Sequence, residues 1–210
     1  LNSMEDAYGA DGVLVLQGPQ GIGKTTFART MAVKPMFFKA GQYIDPRDKD
    51  TTRRLTSTWI SELGEVETSL RTDPERLKAF ITAERDEFRL PYARSDTVSA
   101  RRTSLIATCN SQEFLTDPTG SRRFWTVPVE KIDLKALKEF DVDQYWAQMY
   151  RIFTEEGESC FRLTAEEQQL LAQRNAVHEK PLRAQAEVED IVAAAEEKKT
   201  RYQWRLATVT

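Results

Sequence analysis

The chain has 210 residues, 40% of them hydrophobic, enough for one packed domain with an appendage, and 33 acids nearly balance 30 bases. That balance excludes a globally basic protein, so any nucleic-acid surface has to be local. Two cysteines, Cys109 and Cys160, and one histidine, His178, leave no Cys/His zinc site and no disulfide scaffold; the absence of a membrane-length apolar run or a signal-peptide core predicts a cytoplasmic protein.

In chain order, the opening Leu1-Asn2-Ser3 before Met4 suggests a piece of a longer protein. Val13-Leu14-Val15-Leu16 is a short apolar run that suits a buried strand. Gly18-Pro19-Gln20-Gly21-Ile22-Gly23-Lys24-Thr25 follows, with Thr26 behind it, and has the spacing of a Walker A loop. Glycines let successive backbone N–H groups approach phosphate oxygens, Lys24 can reach the β/γ-phosphates, and the Thr25 hydroxyl can ligate Mg²⁺. Phe27 and Met31 then lie one helical turn apart, so the loop joins a strand to a helix N-terminus, the arrangement that binds phosphate. Lys24 is expected to lie in a solvated part of that loop.

Met36-Phe37-Phe38 can form a short strand, and the charged segment from Asp45 to Arg54 reads as a solvated helix or loop. Thr58 to Glu65 is a β-rich stretch ending in carboxylates, where a Walker B strand belongs. Glu62 is the expected metal-side carboxylate and Glu65 the base that orients water, although glutamates at strand ends are also common on plain surfaces. Asp73-Pro74 is an N-cap followed by proline at the first helical position.

Arg89, Arg94, Arg101 and Arg102, with Tyr92 among them, form the only concentrated basic stretch. It suits a single-stranded backbone and its bases; a solvated arginine-rich loop is the plainer alternative. Leu105 to Cys109 is a further strand with Cys109 as a buried filler, and Asn110 stands at its end, able to bond a γ-phosphate or the attacking water. After the turn signal Asp117 to Gly120, Arg122 and Arg123 lead into the strand Phe124 to Val129 with side chains expected on opposite sides. Such paired arginines can serve a neighbouring subunit's phosphate.

From Asp133 the chain reads as helical. Tyr145, Trp146, Met149, Tyr150 and Phe153 form a stripe expected to pack in the core, Thr164 and Glu167 a capping box, and Ala184 to Thr200 another helix. Eleven acids against six bases between Thr154 and Lys199 argue against a DNA-backbone surface there. The expected division is an α/β ATPase core over 1–150 and a helical segment over 151–210.

These motifs in this order resemble the virulence-associated protein E family, a branch of the superfamily 3 helicase-like AAA+ ATPases of phages and mobile elements. The resemblance runs from Val13 to Met149, and the stretch from Asp117 to Trp125 is its most specific part. It implies a P-loop core with a central parallel sheet, ATP and Mg²⁺ binding, and a homo-oligomeric, hexameric ring around single-stranded or forked DNA. A primase is the implied partner, with no membrane involved. It makes Asn110 the sensor residue and Arg122 or Arg123 a finger acting across a subunit interface. The Arg89–Arg102 stretch then occupies the place of a DNA-contacting hairpin, and Lys78 and Asp86 that of a further motif. Leu63-Gly64 separate Glu62 from Glu65, whereas the superfamily often has adjacent acids. The residues leave other classes open: a nucleotide-gated DNA-binding or assembly switch that unwinds nothing, and a P-loop phosphotransferase.

Overall fold

The computed structural model describes residues 11–42, 49–88, 95, 97–115 and 121–180. Arg89, Tyr92 and Arg94, the Asp117–Gly120 turn and the helix expected over 184–200 lie outside the described residues. Strands β1 (Val13–Gln17), β2 (Phe38–Gln42), β3 (Ile60–Leu63), β6 (Ser104–Cys109) and β7 (Phe124–Pro128) form one sheet in the order β2-β3-β6-β1-β7. Every pairing in it is parallel. The expected α/β architecture, a central parallel sheet with helices on it, is what the chain adopts.

Alternation along the strands divides the interior into two cores. Val13 and Val15 of β1, Leu63 of β3 and Ala107 and Cys109 of β6 face one side. There they meet Leu55 of α2 (Lys49–Leu55), Val66 and Leu70 of α3 (Val66–Thr72), and Leu77 and Ile81 of α4 (Pro74–Ile81). Leu16, Ile60 and Ile106 face the other side, under Ala28 of α1 (Lys24–Met31) and Trp146 of α6 (Val142–Glu156). Phe124 is 1% exposed at the start of β7, and burying such a ring stabilises by about 1.5–3 kcal/mol.

Local signals set the helix ends. Asp73 caps α4 by accepting from the Arg76 amide, with Pro74 at its first position. Thr164 and Glu167 close a capping box on α7 (Ala165–Asn175). The Thr164 amide and hydroxyl hold the exposed Glu167 carboxyl below its ordinary pKa.

Several expectations are corrected. Pro35–Phe37 is a 3-10 turn, with the strand beginning at Phe38, because proline fixes the backbone before it. The aromatic stripe of α6 is not core: no residue of that helix is fully buried and Tyr150 is 59% exposed. Trp146 alone reaches inward, donating its indole N–H to the Met31 carbonyl (2.8 Å) and lying 4.7 Å from the Trp59 ring. One compact unit takes in the chain up to Glu179, and α7 packs on β7 within it. Between α4 and β6, strands β4 (Arg85–Phe88) and β5 (Thr97–Ala100) pair as an antiparallel ribbon.

Arg101, expected on a DNA surface, is instead 5% exposed at the foot of that ribbon. Its Nε donates to both carboxylate oxygens of Asp86 (3.0 and 3.1 Å), and its guanidinium lies over the Phe80 ring and bonds the Phe80 carbonyl. A guanidinium in low dielectric needs a charged partner, and Asp86 across the ribbon supplies it. Arg102 remains at the exposed surface. Removing one partner strands the other, so Arg101→Ala is expected to lower unfolding free energy by about 3–5 kcal/mol in urea titration, and Arg101→Met with Asp86→Leu by clearly less. Equal stability of Arg101→Ala and wild type would refute a structural role for the pair.

Candidate functional site

Strand β1 lies between β6 and β7, so the chain leaves it towards one edge of the sheet and later returns to its other side. Clefts in open α/β sheets form at such a switch point, beyond the carboxyl ends of the strands. Here that place holds the glycine loop. The Gly18 amide donates to the Cys109 carbonyl (3.1 Å), and the Val129 amide donates to the Gln17 carbonyl (2.7 Å), fixing the loop to the ends of β6 and β7. A Cβ at Gly18 would sit 2.0 Å from the Val129 carbonyl oxygen. Gly23, at φ +101°, caps α1 without a side chain, and a Cβ there would meet Leu134 at 2.8 Å. The first-turn amides of α1 therefore face the cleft with no capping side chain, the condition for holding an anion.

The cleft has a volume of about 330 Å³; Gln20, Gly21, Gly23, Lys24, Thr25 and Thr26 line it on one side and Thr108 and Asn110 on the other. Lys24 is 7% exposed, which corrects the expected solvated position. Its Nζ donates to the carbonyls of Gly18 (2.5 Å) and Pro19 (2.8 Å) and to Asn110 Oδ1 (3.0 Å). Burial lowers its pKa, while the carboxylates of Glu67 and Glu62 work the other way. Ile22 packs behind the loop, its Cδ1 3.2 Å from where a Gly18 Cβ would be. Glu62 is 2% exposed, yet its carboxylate is satisfied: Thr25 Oγ1 donates to Oε1 (2.5 Å) and the Gly41 amide to Oε2 (3.2 Å). Sequence-distant groups thus meet: Lys24 with Asn110, and Thr25 with Glu62.

Glu65 is exposed and caps α3 at φ +52°, with no side-chain bond to the helix. The second carboxylate turned towards the cluster is Glu67, in the first turn of α3, which sequence reading passed over. Its Oε2 is buried without a hydrogen-bond partner, and its charge acts on both Lys24 and Cys109. Burial, then the neighbouring Glu67 carboxylate, push the Cys109 thiol up to about 12, so it stays protonated and inert. The only sequence signal for Glu67 was its place one turn into a helix that starts beside the site.

Arg122 and Arg123 form a 3-10 turn and not an extended pair, so both line one cleft of about 240 Å³ instead of opposite sides. Parallel pairing of Val13 with Phe124 and of Gln17 with Pro128 puts that turn at the amino edge of the sheet. It lies roughly 16 Å along the strand from the glycine loop, at about 3.3 Å per residue.

A strand, a lysine–threonine glycine loop and a helix, set at the switch point of a parallel sheet with a carboxylate and an asparagine nearby, define an α/β protein with a polar cleft at the carboxyl ends of its strands. The virulence-associated protein E-like domain model matches residues 2–180, and the chain belongs to that family. Three solved structures of the NrS-1 C-terminal region are similar at 17–18% identity, with TM-scores of 0.43, 0.46 and 0.44. The match covers 80–83% of this chain, which spans only 34–36% of theirs. No curated protein matches.

Lys24→Met keeps the stem but leaves the buried Gly18 carbonyl without its donor. The expected cost is about 1–3 kcal/mol of unfolding free energy by urea titration, and an unaltered midpoint would show that the ammonium does not shape the loop.

Proposed function

We propose that the chain is an ATPase motor module for DNA that works in a ring of identical subunits and serves replication of a phage or mobile element. The observation that carries this reading is the double meeting at the carboxyl ends of β1, β3 and β6: Lys24 with Asn110, and Thr25 with Glu62. ATP placed with its phosphates on the glycine loop meets the uncapped amides of α1. Lys24 exchanges loop carbonyls for phosphate oxygens, which repays its desolvation. Asn110, whose Oδ1 now accepts from Lys24, is placed to bond the terminal phosphate or the water that attacks it.

Thr25 and Glu62 are the residues that would hold Mg²⁺. Such an ion is commonly held by one or two carboxylates, a hydroxyl, water and substrate phosphates, and the Thr25–Glu62 contact supplies the protein's share. When bound, that ion supplies charge neutralisation along the phosphates. Glu67 is the carboxylate best placed to orient the attacking water, with Glu65 the competing choice. The arginine turn lies at the far edge of its own sheet, so Arg122 or Arg123 meets a phosphate only on another subunit. This supports catalysis at subunit interfaces.

DNA contact falls to the β4–β5 ribbon and its surroundings, with Arg102 as the exposed member. The inward turn of Arg101 removes one cation from that surface and favours a second reading, a nucleotide-gated DNA-binding or assembly switch without unwinding.

The deciding experiment is ATP turnover with and without single-stranded DNA, alongside native mass. Wild type is expected to turn over ATP as an oligomer, and Lys24→Met and Glu62→Gln to lose at least a hundredfold; full activity in both variants would remove the site. Glu67→Gln is expected to cut kcat about 10²–10⁴-fold with ATP binding retained, whereas Glu65→Gln changes it little; the opposite order would return the base to Glu65. Mixed with Lys24→Met subunits, inactive Arg122→Ala or Arg123→Ala subunits should regain part of the activity. No recovery from demonstrably mixed rings would exclude action in trans.

A further inference from the structure

The connection from β6 to β7 begins at Asn110, in the glycine-loop cleft, and ends at Arg122 and Arg123, at the opposite edge of the sheet. Its described stretches are gripped by the end of α7 and the 3-10 turn that follows, Ala176–His178. Asn175 is fully buried, and its Nδ2 donates to the carbonyls of Ser121 (2.7 Å) and Phe124 (2.9 Å), on either side of the two arginines. Three residues on, His178 is 4% exposed with Nδ1 2.8 Å from the Gln112 carbonyl. The His178 carbonyl accepts from the amides of Phe114 and Leu115, each at 3.0 Å, and Leu115 pairs with Glu179 in a single parallel bridge.

These contacts do more than fill space. Asn175 supplies two buried carbonyls with their donor, although its own Oδ1 is buried and has no partner. Two carbonyls fix the amide's orientation, because reversing it would set oxygen against oxygen. The hold that Asn175 has on the arginine turn is through the backbone, while Arg123 Nε is buried without a hydrogen-bond partner. The side chains of Arg122 and Arg123 line their cleft beside that anchored backbone. The His178 contacts restrain the same connection two to five residues beyond Asn110.

We propose that Asn175 and His178 are positioning residues for ATP turnover, a bracket at the end of α7 that holds the Asn110 loop and the arginine turn in one register. This rests on the ATPase reading above. A group that must meet charge developing in a transition state on another subunit loses effect when its backbone wanders, while ground-state binding of nucleotide at the glycine loop does not depend on it.

The test uses the full chain with Asn175→Leu, which keeps the shape and removes the donor. It adds His178→Ala and His178→Asn, the latter restoring an N–H donor near the position of Nδ1. Hydrogen exchange is expected to accelerate at residues 121–124 in Asn175→Leu while the amides of α1 keep their protection. The kcat should fall at least tenfold with KM for ATP within twofold, in Asn175→Leu and in His178→Ala, and His178→Asn should regain most of it. Mixing Asn175→Leu with Lys24→Met subunits should restore activity in part, because the second kind brings intact arginine turns; a general loss of stability would not be complemented in this way. Unchanged exchange at 121–124 together with unchanged kcat overturns the proposal, and so does a kcat loss that neither His178→Asn nor mixing relieves. If wild type turns over no ATP, the ATPase reading fails and the proposal for turnover with it, while exchange at 121–124 still decides whether the bracket holds the turn. Should Asn175→Leu not fold, the His178→Ala and His178→Asn pair makes the same comparison.

Discussion

The buried ammonium of Lys24 is the constraint on which the site depends. A lysine at 7% exposure has given up most of its water, and its lowered pKa records that cost. Three acceptors offset it: the carbonyls of Gly18 and Pro19 and the side-chain oxygen of Asn110. To supply them the loop must turn its carbonyls towards its own helix, which sends the chain past Val129 so closely that only glycine fits at position 18. Asn110 must end β6 beside β1, which parallel pairing of Gln17 with Cys109 ensures. The loop, the ends of β6 and β7 and the first turn of α1 are therefore one mechanical unit. Under the proposed function a polyanion would displace these carbonyls from the lysine, since phosphate oxygens carry full charge and carbonyl oxygens do not.

Strand alternation explains why the two carboxylates come from different kinds of element. Glu62 shares its face of β3 with Ile60, beneath α1, and so meets Thr25. The next residue must point the other way, and there Leu63 is 1% exposed in the core against α3 and α4. A second carboxylate directly after the first would have to be buried in that apolar layer. The chain instead leaves the strand through Gly64, turns at Glu65 in a left-handed conformation, and brings Glu67 over the top on the first turn of α3.

Local chemistry made most of this fold legible. The glycine loop with its strand and helix, the Asp73-Pro74 cap and the Thr164–Glu167 box all lie within a few residues, and each forms as its spacing requires. Four strands of the main sheet form on the stretches expected for them, while β2 shares only Phe38 with the expected Met36-Phe37-Phe38. What failed was settled by partners far away in sequence. Arg101 looked like a surface cation because nothing local reveals that Asp86 will stand opposite and Phe80 beneath it. Arg122 and Arg123 were expected to alternate, but a 3-10 turn with three residues per turn does not have the period of a strand. The α6 stripe has a helical period, yet periodicity says only which face is apolar, not how much of it finds a cover.

The geometry of the sheet also bears on the proposed ring of identical subunits. In a parallel sheet every strand presents its carboxyl end on the same side, so groups that follow strands gather at one edge and groups that precede them at the other. Asn110 follows β6 and Arg122–Arg123 precede β7; although one connection carries them both, they lie at opposite edges of the same layer. No side chain spans that separation, because the guanidinium of a fully extended arginine reaches about half of it. A chain with only its own nucleotide would have no phosphate for these arginines to meet. Placing one edge of a subunit against the cleft edge of the next solves the problem for every subunit but the last, and closing the series into a ring removes that exception. The interface in such a ring is heterologous, with two different surfaces meeting. Under the proposed function, a chain that carries its glycine-loop cleft and its arginine turn at opposite edges of a single sheet has the two surfaces that this arrangement requires.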